Sequence, residues 1–297
     1  MSWRETYRGT VYRWEVDNVD HFTVAYYFER IEDATLALLP ALGLDQEALD
    51  GAGLTCATLD CHVRYLRELK VGDIVHVRSG VIDVASDGLL LGHQIFDSGD
   101  ETLCTSVAQR IAAVSTRDRA PVPLSSEQGK AAESCRVEWN EPRQTVAVPS
   151  TSEARFFESA RDTIKPREVD TLGRAAFPAY IHRFSAANGH VLATFGMTPA
   201  YMRTEGRGFS TFEFRLRFPG SLRAGELVQV RSAILHVGAS SMRFFHAMTN
   251  ARTGEEVATL EQSGVHLDLA ARRSTPLPDH LRERAKDLLP ASNAGVR

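Results

Sequence analysis

The chain contains 297 residues, of which 43% are hydrophobic and 24% are charged, a composition that is typical of soluble globular proteins and excludes a disordered chain. The net charge of −4 argues against a basic surface that binds nucleic acid or anionic membranes. The charged N-terminus is unlike a secretion signal, and the longest apolar stretch, ATLALLPALGL, is far shorter than the roughly 20 residues that cross a bilayer. We therefore expect a cytoplasmic protein.

In chain order, the sequence first predicts a strand, an acidic turn and a long helix. The strand covers about residues 7–16, and the turn contains Asp17, Asp20 and His21. Apolar residues then recur with a period near 3.6 over residues 22–42. This period is typical of a helix that buries one face.

Four strands are predicted next, separated by turn sequences such as KVGD and ASDG. We expect them near residues 55–68, 73–86, 89–97 and 102–115. One helix followed by four hairpin-linked strands implies an antiparallel sheet that wraps around that helix.

The four cysteines all lie in the first half of the chain and do not form a disulfide pattern. The stretch CATLDCH offers Cys56, Cys61 and His62 as metal ligands by residue type. In a strand, however, an odd spacing of five residues points the two sulfurs to opposite faces. We therefore expect neither a metal site nor a disulfide at this stretch.

The second half of the chain repeats the first. A shift of 153 residues aligns the two halves without a gap from Tyr7 to His93. Matched positions include Glu15-Val16-Asp17 with Glu168-Val169-Asp170, Tyr27 with Tyr180, Arg30 with Arg183 and His93 with His246. So many spaced matches indicate a duplicated domain. We predict a first domain at residues 1–118, a Pro- and Ser-rich linker at 119–158 on which Trp139 marks a docking point, and a second domain with a C-terminal tail at 159–297.

A long helix in a curled antiparallel sheet, with an aspartate at the strand-to-helix turn, resembles the hotdog fold and in particular its 4-hydroxybenzoyl-CoA thioesterase-like branch. The turn of that branch is Asp-x-x-Gly-His-x-Asn-Asn-x-x-Tyr. In the first copy Asp17, His21 and Tyr27 match, whereas Asp20 replaces the glycine and Thr23 and Val24 replace the asparagines. In the second copy Asp170, Gly173 and Tyr180 match, whereas Arg174 takes the histidine position. The second copy also resembles the betainyl-CoA thioesterases of carnitine breakdown.

The resemblance implies an α+β fold, with two tandem hotdog domains that form an intramolecular pseudo-dimer, and the activity of an acyl-CoA thioesterase. Asp17 is expected to act as nucleophile or general base, with His21 orienting it or relaying a proton and with amides at the helix N-terminus as the oxyanion site. Asp170 is expected at a second, diverged site. No cofactor is expected beyond the coenzyme A of the substrate. Family members often assemble further, so a homo-oligomer of the pseudo-dimer is also expected.

Four residues are expected to bind the substrate: Tyr27, Tyr180, Arg174 and Arg207. Arg207 lies between two glycines at the start of a predicted strand, where backbone amides and a guanidinium are suited to a phosphate. By contrast, His93 and His246 lie in strands, where a histidine is more often structural.

Three other interpretations stay open. An aspartate before a helix often does no more than cap it. The departures from the motif permit an acyl-CoA-binding protein without catalysis. Hotdog hydratases and dehydratases of enoyl-CoA carry Gly-Asp-x-Asn-Pro-x-His, but the stretch VDNVDHF lacks the glycine and the proline of that signature.

Overall fold

The computed structural model describes residues 3–17, 20–85, 87–142 and 155–290. The chain divides into two compact units, Met1–Gln144 and Thr145–Arg297. The unit boundary agrees with the predicted duplication, since each unit contains one copy of the repeat.

The first unit contains one long helix and a five-stranded antiparallel sheet. Its elements are β1 (Arg4–Thr10), a 3-10 turn (Arg13–Glu15), α1 (Val24–Leu38), a 3-10 turn (Leu39–Leu42), α2 (Gln46–Gly51), β2 (Leu54–Tyr65), β3 (Ile74–Ala85), β4 (Gly88–Asp97), β5 (Thr102–Ser115) and α3 (Ser126–Ser134). The strands are ordered β1-β3-β4-β5-β2. The predicted helix and the four predicted strands after it are confirmed.

The second unit repeats this arrangement. Its elements are β6 (Phe157–Thr163), a 3-10 turn (Pro166–Glu168), α4 (Phe177–Thr194), α5 (Pro199–Glu205), β7 (Arg207–Arg217), β8 (Leu227–Val237), β9 (Ser241–Asn250), β10 (Glu256–Asp268), β11 (Arg273–Ser274) and α6 (Asp279–Lys286). The strands are ordered β6-β8-β9-β10-β7, and β11 pairs with β10. Because the order is that of the first unit, strand for strand, the fold is the predicted pair of α+β hotdog domains.

In the first unit the core lies between α1 and one face of the sheet. Phe28, Ile31, Ala34 and Leu38 recur every three or four residues along α1 and are fully buried. Each large apolar side chain buried in this way contributes about 1.5–3 kcal/mol through the hydrophobic effect. The helical region ends at Gly43, which has a φ of 65°, a left-handed conformation that glycine adopts without strain.

The first domain extends beyond the predicted boundary at residue 118. Helix α3 begins with a capping box formed by Ser125 and Gln128, and its Ala132 lies in the core of the first unit together with Cys135. The part of the expected linker up to residue 142 therefore folds with the first domain, because these small apolar residues find buried positions despite the polar composition around them. Residues 143–154 of the expected linker lie outside the described residues.

A short stretch after α3, residues 135–139, pairs with β3 beyond the end of β1, through a parallel bridge between Arg136 and Val81. The amide of Val81 donates to Cys135 O and that of Val137 donates to Val81 O, both at 2.9 Å. Below this stretch lies Gly92, where a Cβ would come within 2.9 Å of Trp139 Cε3. The predicted docking point at Trp139 is therefore confirmed, and a glycine makes room for it.

Candidate active site

The acidic turn of the first copy is a closed loop. The amide of Asp17 donates to His21 O at 2.8 Å, and Asp17 Oδ1 accepts from the amide of His21 at 3.0 Å. Asp20 has a φ of 59°, a left-handed conformation that aspartate tolerates better than most residues. The carboxyl group of Asp17 is thus fixed by the loop that leads into α1.

The second copy forms the same loop. The amide of Asp170 donates to Arg174 O at 2.7 Å, and Asp170 Oδ1 accepts from the amides of Leu172 and Arg174, both at 2.9 Å. Gly173 has a φ of 72° at the position that Asp20 occupies in the first copy. The altered motif therefore keeps its backbone shape, because Asp20 adopts the conformation that the glycine of the motif supplies.

The aspartates do not occupy the helix-cap positions. The N-cap residue of α1 is Thr23 and that of α4 is Ala176, each six residues after the aspartate of its copy. The interpretation of Asp17 as a helix cap is therefore wrong, since its carboxyl group closes the preceding loop. The first turn of α1 begins at Val24, three residues after this loop. The amide of Tyr26 donates to Thr23 O at 2.9 Å, whereas the amides of Val24 and Ala25 have no carbonyl four residues before them within the helix and lie at the positive end of its dipole.

An ion pair, which is buried in the first copy and partly buried in the second, fixes the 3-10 turn in front of each loop. Glu15 Oε1 lies 2.5 Å from Arg30 Nη2, and Glu15 Oε2 accepts from the amide of Tyr12 at 2.9 Å. In the second copy Glu168 Oε2 lies 2.8 Å from Arg183 Nη2. The sequence prediction did not assign these residues to the site. The available signal was that Glu and Arg recur in both copies at the same spacing.

His21 lies beside an acidic residue that the sequence prediction also missed. Its Nε2 is 2.8 Å from Glu68 Oε2, an ion contact rather than a linear hydrogen bond. In the second copy the equivalent positions hold Arg174 and Ser221, and Arg174 is buried, with 6% of its surface exposed. The two loops therefore share the hydrogen bonds that close them but differ in the side chain that follows at the histidine position.

Tyr27 and Tyr180 are core residues of the first helical turn. Tyr27 packs edge-on against Tyr65, with 5.1 Å between the ring centroids, and burial raises its pKa far above the usual value. The hydroxyl oxygen of Tyr180 accepts from the amide of Leu222 at 3.2 Å. Both side chains brace the loop from inside the domain, and their predicted contact with substrate stays a prediction.

Arg207 is the first residue of β7, as predicted, and its guanidinium contacts Asp268 on the neighbouring strand β10. Close by, the hydroxyl of Tyr201 lies 3.1 Å from His266 Nε2. The carboxylate of Asp268 neutralises the charge of Arg207, which was expected to meet a phosphate. The predicted phosphate contact stays a prediction.

His93 and His246 belong to buried polar networks inside the two domains. His93 Nδ1 lies 2.8 Å from Ser79 Oγ, and its Nε2 donates to Gln109 Oε1 at 3.0 Å. His246 Nδ1 lies 2.6 Å from Ser232 Oγ. Burial lowers the pKa of His93 to about 4 and that of His246 to about 3. Both rings are fully buried neutral groups that join neighbouring strands, so both histidines have a structural role.

The described part of the chain contains no group of side chains arranged to hold a metal ion. Cys56, Cys61, Cys104 and Cys135 are free thiols. Among the same residues, no helix is long and apolar enough to cross a membrane.

A family model described as the thioesterase-like superfamily matches residues 11–132 and 164–285. The betainyl-CoA thioesterase of Pseudomonas aeruginosa is 30% identical over 122 residues, which are 41% of this chain and 77% of that protein. The L-carnitine dehydrogenase/betainyl-CoA thioesterase of Rhizobium meliloti is 26% identical over 120 residues, which are 40% of this chain and 24% of that protein. The match thus spans about a quarter of the length of that fused enzyme.

Among solved structures, the 12:0-ACP thioesterase of Umbellularia californica is similar with a TM-score of 0.69 and 13% identity, covering 88% of this chain and 93% of that chain. This similarity concerns the fold. Together with the family match to both copies of the repeat, it leads to one conclusion: the chain belongs to the thioesterase-like superfamily, a family of thioester hydrolases, and carries two copies of its domain.

Proposed function

We propose that this protein hydrolyses an acyl-CoA to the free acid and coenzyme A, and that Asp17 is the catalytic residue. The observation that carries the proposal is the position of the Asp17 carboxyl group, which is fixed in the loop that precedes α1. A carboxylate is thereby held in the loop that leads to the N-terminus of α1, which supports the proposal that it acts together with the amides there. These are the two groups that the hydrolysis of a thioester requires.

In the simpler of two routes, Asp17 acts as a general base. Its carboxylate takes a proton from water while the water oxygen bonds to the carbonyl carbon, and the amides of the first helical turn stabilise the negative charge on the carbonyl oxygen. The carbon–sulfur bond then breaks, and the sulfur leaves with its electron pair and receives the proton. In the second route the carboxylate itself bonds to the carbonyl carbon, the carbon–sulfur bond breaks and the thiolate leaves to be protonated. Water then hydrolyses the resulting anhydride to the free acid and the carboxylate.

The first copy is better equipped than the second. His21 closes the loop of Asp17 through its amide and contacts Glu68 through its side chain, whereas the equivalent positions of the second copy hold Arg174 and Ser221. A guanidinium keeps its proton at every accessible pH, so Arg174 is not suited to relay one. We therefore assign turnover to the first loop and a supporting role to the second.

A quaternary ammonium acyl group is the first substrate to test. Two relatives are named betainyl-CoA thioesterases. In this chain the rings of Tyr12 and Trp14 stack on the turn before Asp17, with 4.5 Å between their centroids, and 69% of the Trp14 surface is exposed. Aromatic faces attract quaternary ammonium groups by about 0.5–2 kcal/mol, which supports the choice of betainyl-CoA.

The test is thiol release from betainyl-, short-chain, medium-chain and aryl-CoA by the wild type and by two matched variants. Asp17→Asn and Asp170→Asn each keep an oxygen that accepts the loop amides, so both loops should still close. We expect Asp17→Asn to lower kcat by about 10²–10⁴-fold and Asp170→Asn to have a small effect. Single turnover in ¹⁸O-water separates the routes, because only the nucleophilic route places label in Asp17.

Three outcomes contradict parts of the proposal. If Asp170→Asn abolishes turnover and Asp17→Asn does not, the two sites are ranked in the wrong order. If the wild type binds acyl-CoA without releasing thiol, the protein is a binding protein. If it hydrates enoyl-CoA instead, the reaction class is wrong.

A further inference from the structure

The acidic loop of the first domain is docked on the turn between β2 and β3. The amide of Phe22 donates to Leu69 O at 2.9 Å. This backbone contact brings Glu68 next to the loop, with its Oε2 at 2.8 Å from His21 Nε2. The side chains of His21 and Glu68 are 14% and 30% exposed, so the contact is partly shielded from solvent.

The second domain shows that the loop does not need this contact in order to form. There the amide of Ala175 donates to Leu222 O at 2.8 Å, which is the same backbone docking. The loop has the same closing hydrogen bonds, yet the histidine has become Arg174 and the glutamate has become Ser221. Two positions 47 residues apart in sequence, 21 and 68, have thus changed together while the backbone has stayed the same.

We propose that Glu68 is a positioning residue for the reaction of the first domain, and that it acts by holding and charging the imidazole of His21. This inference rests on the proposed function. With Nε2 in contact with Glu68, the imidazolium of His21 gives its proton to the sulfur of coenzyme A as the carbon–sulfur bond breaks, and it then takes from Asp17 the proton that Asp17 removed from water. Water and thioester then give one acid and one thiol, and each residue returns to its starting protonation state.

The charges around His21 define the expected direction of any pH effect. The negative charge of Glu68 favours the protonated form of His21, as any nearby carboxylate does. Lys70 opposes this effect, since its Nζ lies 3.1 Å from Glu68 Oε1. On the loop itself, Asp20 is 3.4 Å from Arg13, so these two charges largely offset each other. Loss of the Glu68 charge should therefore make His21 lose its proton at a lower pH.

The experiment is a double-mutant cycle on the full chain with Glu68→Gln, His21→Gln and the double variant, assayed for kcat and KM against pH. We expect Glu68→Gln to lower kcat at least 10-fold with little change in KM, and Glu68→Asp to restore part of it. Because Glu68 acts through His21, the double variant should be no slower than His21→Gln. The pH limb that His21→Gln removes should shift down by about 0.5–1 pH unit in Glu68→Gln.

An NMR titration of the imidazole groups gives a readout that does not depend on turnover. The His21 signal is assigned by its absence in His21→Gln, and we expect it to titrate at lower pH in Glu68→Gln than in the wild type. Multiplicative effects on kcat in the cycle, or an unchanged His21 titration, would overturn the inference. Failure of the proposed function has a different signature, namely an Asp17→Asn variant that keeps full activity.

Discussion

Replacement of Glu15 by alanine should destabilise the first domain far more than the equivalent change, Glu168→Ala, destabilises the second. Glu15 is 3% exposed and Arg30 is 6% exposed, so the change leaves a guanidinium buried without its main partner. The nearest other carboxylate is Glu29, at 3.7 Å. The amide of Tyr12 also loses the acceptor that holds the turn before the acidic loop.

The magnitude follows from these contacts. Removal of one member of a buried ion pair costs about 3–5 kcal/mol, because the other charge stays desolvated. Glu29 and the two aromatic rings near Arg30 recover about 1 kcal/mol of this, so the net loss for Glu15→Ala is about 3 kcal/mol. In the second domain Arg183 keeps hydrogen bonds to Thr163 O at 2.6 Å and to Ala179 O at 2.7 Å. The loss for Glu168→Ala should therefore be about 1–2 kcal/mol.

The tryptophans make the assay specific for one domain. All three, Trp3, Trp14 and Trp139, lie in the first unit, so tryptophan emission in urea follows that unit while far-ultraviolet circular dichroism follows both. With an m-value of about 1–3 kcal/mol/M, Glu15→Ala should lower the emission midpoint by about 1–3 M. Glu15→Gln, which keeps the size of the side chain, provides a milder variant if the alanine variant does not fold.

Two results would refute this reasoning. One is a loss of less than 1 kcal/mol for Glu15→Ala with an unchanged m-value. The other is a loss for Glu168→Ala equal to or larger than that for Glu15→Ala, since the backbone acceptors of Arg183 would then have no compensating effect.

Two further predictions concern stability. Because burial lowers the pKa of His93 to about 4 and that of His246 to about 3, whereas an unfolded histidine has a pKa near 6.5, the unfolded chain binds these protons first and stability falls as pH drops below about 6.5. For His93 the fall should reach about 3 kcal/mol at pH 4, and His93→Gln should flatten the pH dependence of the unfolding free energy in urea titrations; an unchanged slope would contradict this. A Cβ added at Gly92 meets Trp139, so Gly92→Ala should cost about 1–3 kcal/mol and shift the tryptophan emission. Gly129→Ala on α3, where a Cβ meets no atom within 4 Å, is the control and should be neutral or stabilising; equal effects of the two changes would argue against the close packing.

The site was partly predictable because part of it is local in sequence. The loop around Asp17 is closed by contacts over four residues, and its left-handed position is marked by a glycine in the second copy. The residues that support the loop come from elsewhere in the chain. Glu68 is on a different turn, and no pattern within either stretch predicts that His21 and Glu68 meet.

The sequence by itself determined the long helix of the first domain, the four strands after it, the duplication and the position of the acidic turn. These features depend on short-range rules, namely the helical period, the alternation along strands and the conformations open to Asp20 and Gly173. Only the tertiary structure decided which polar residues pair in the interior and which part of the expected linker joins a core. Those outcomes depend on strand register and on how α1 docks on the sheet, because both bring together residues that are distant in sequence. Burial then determines whether a charge such as that of Arg30 needs a partner.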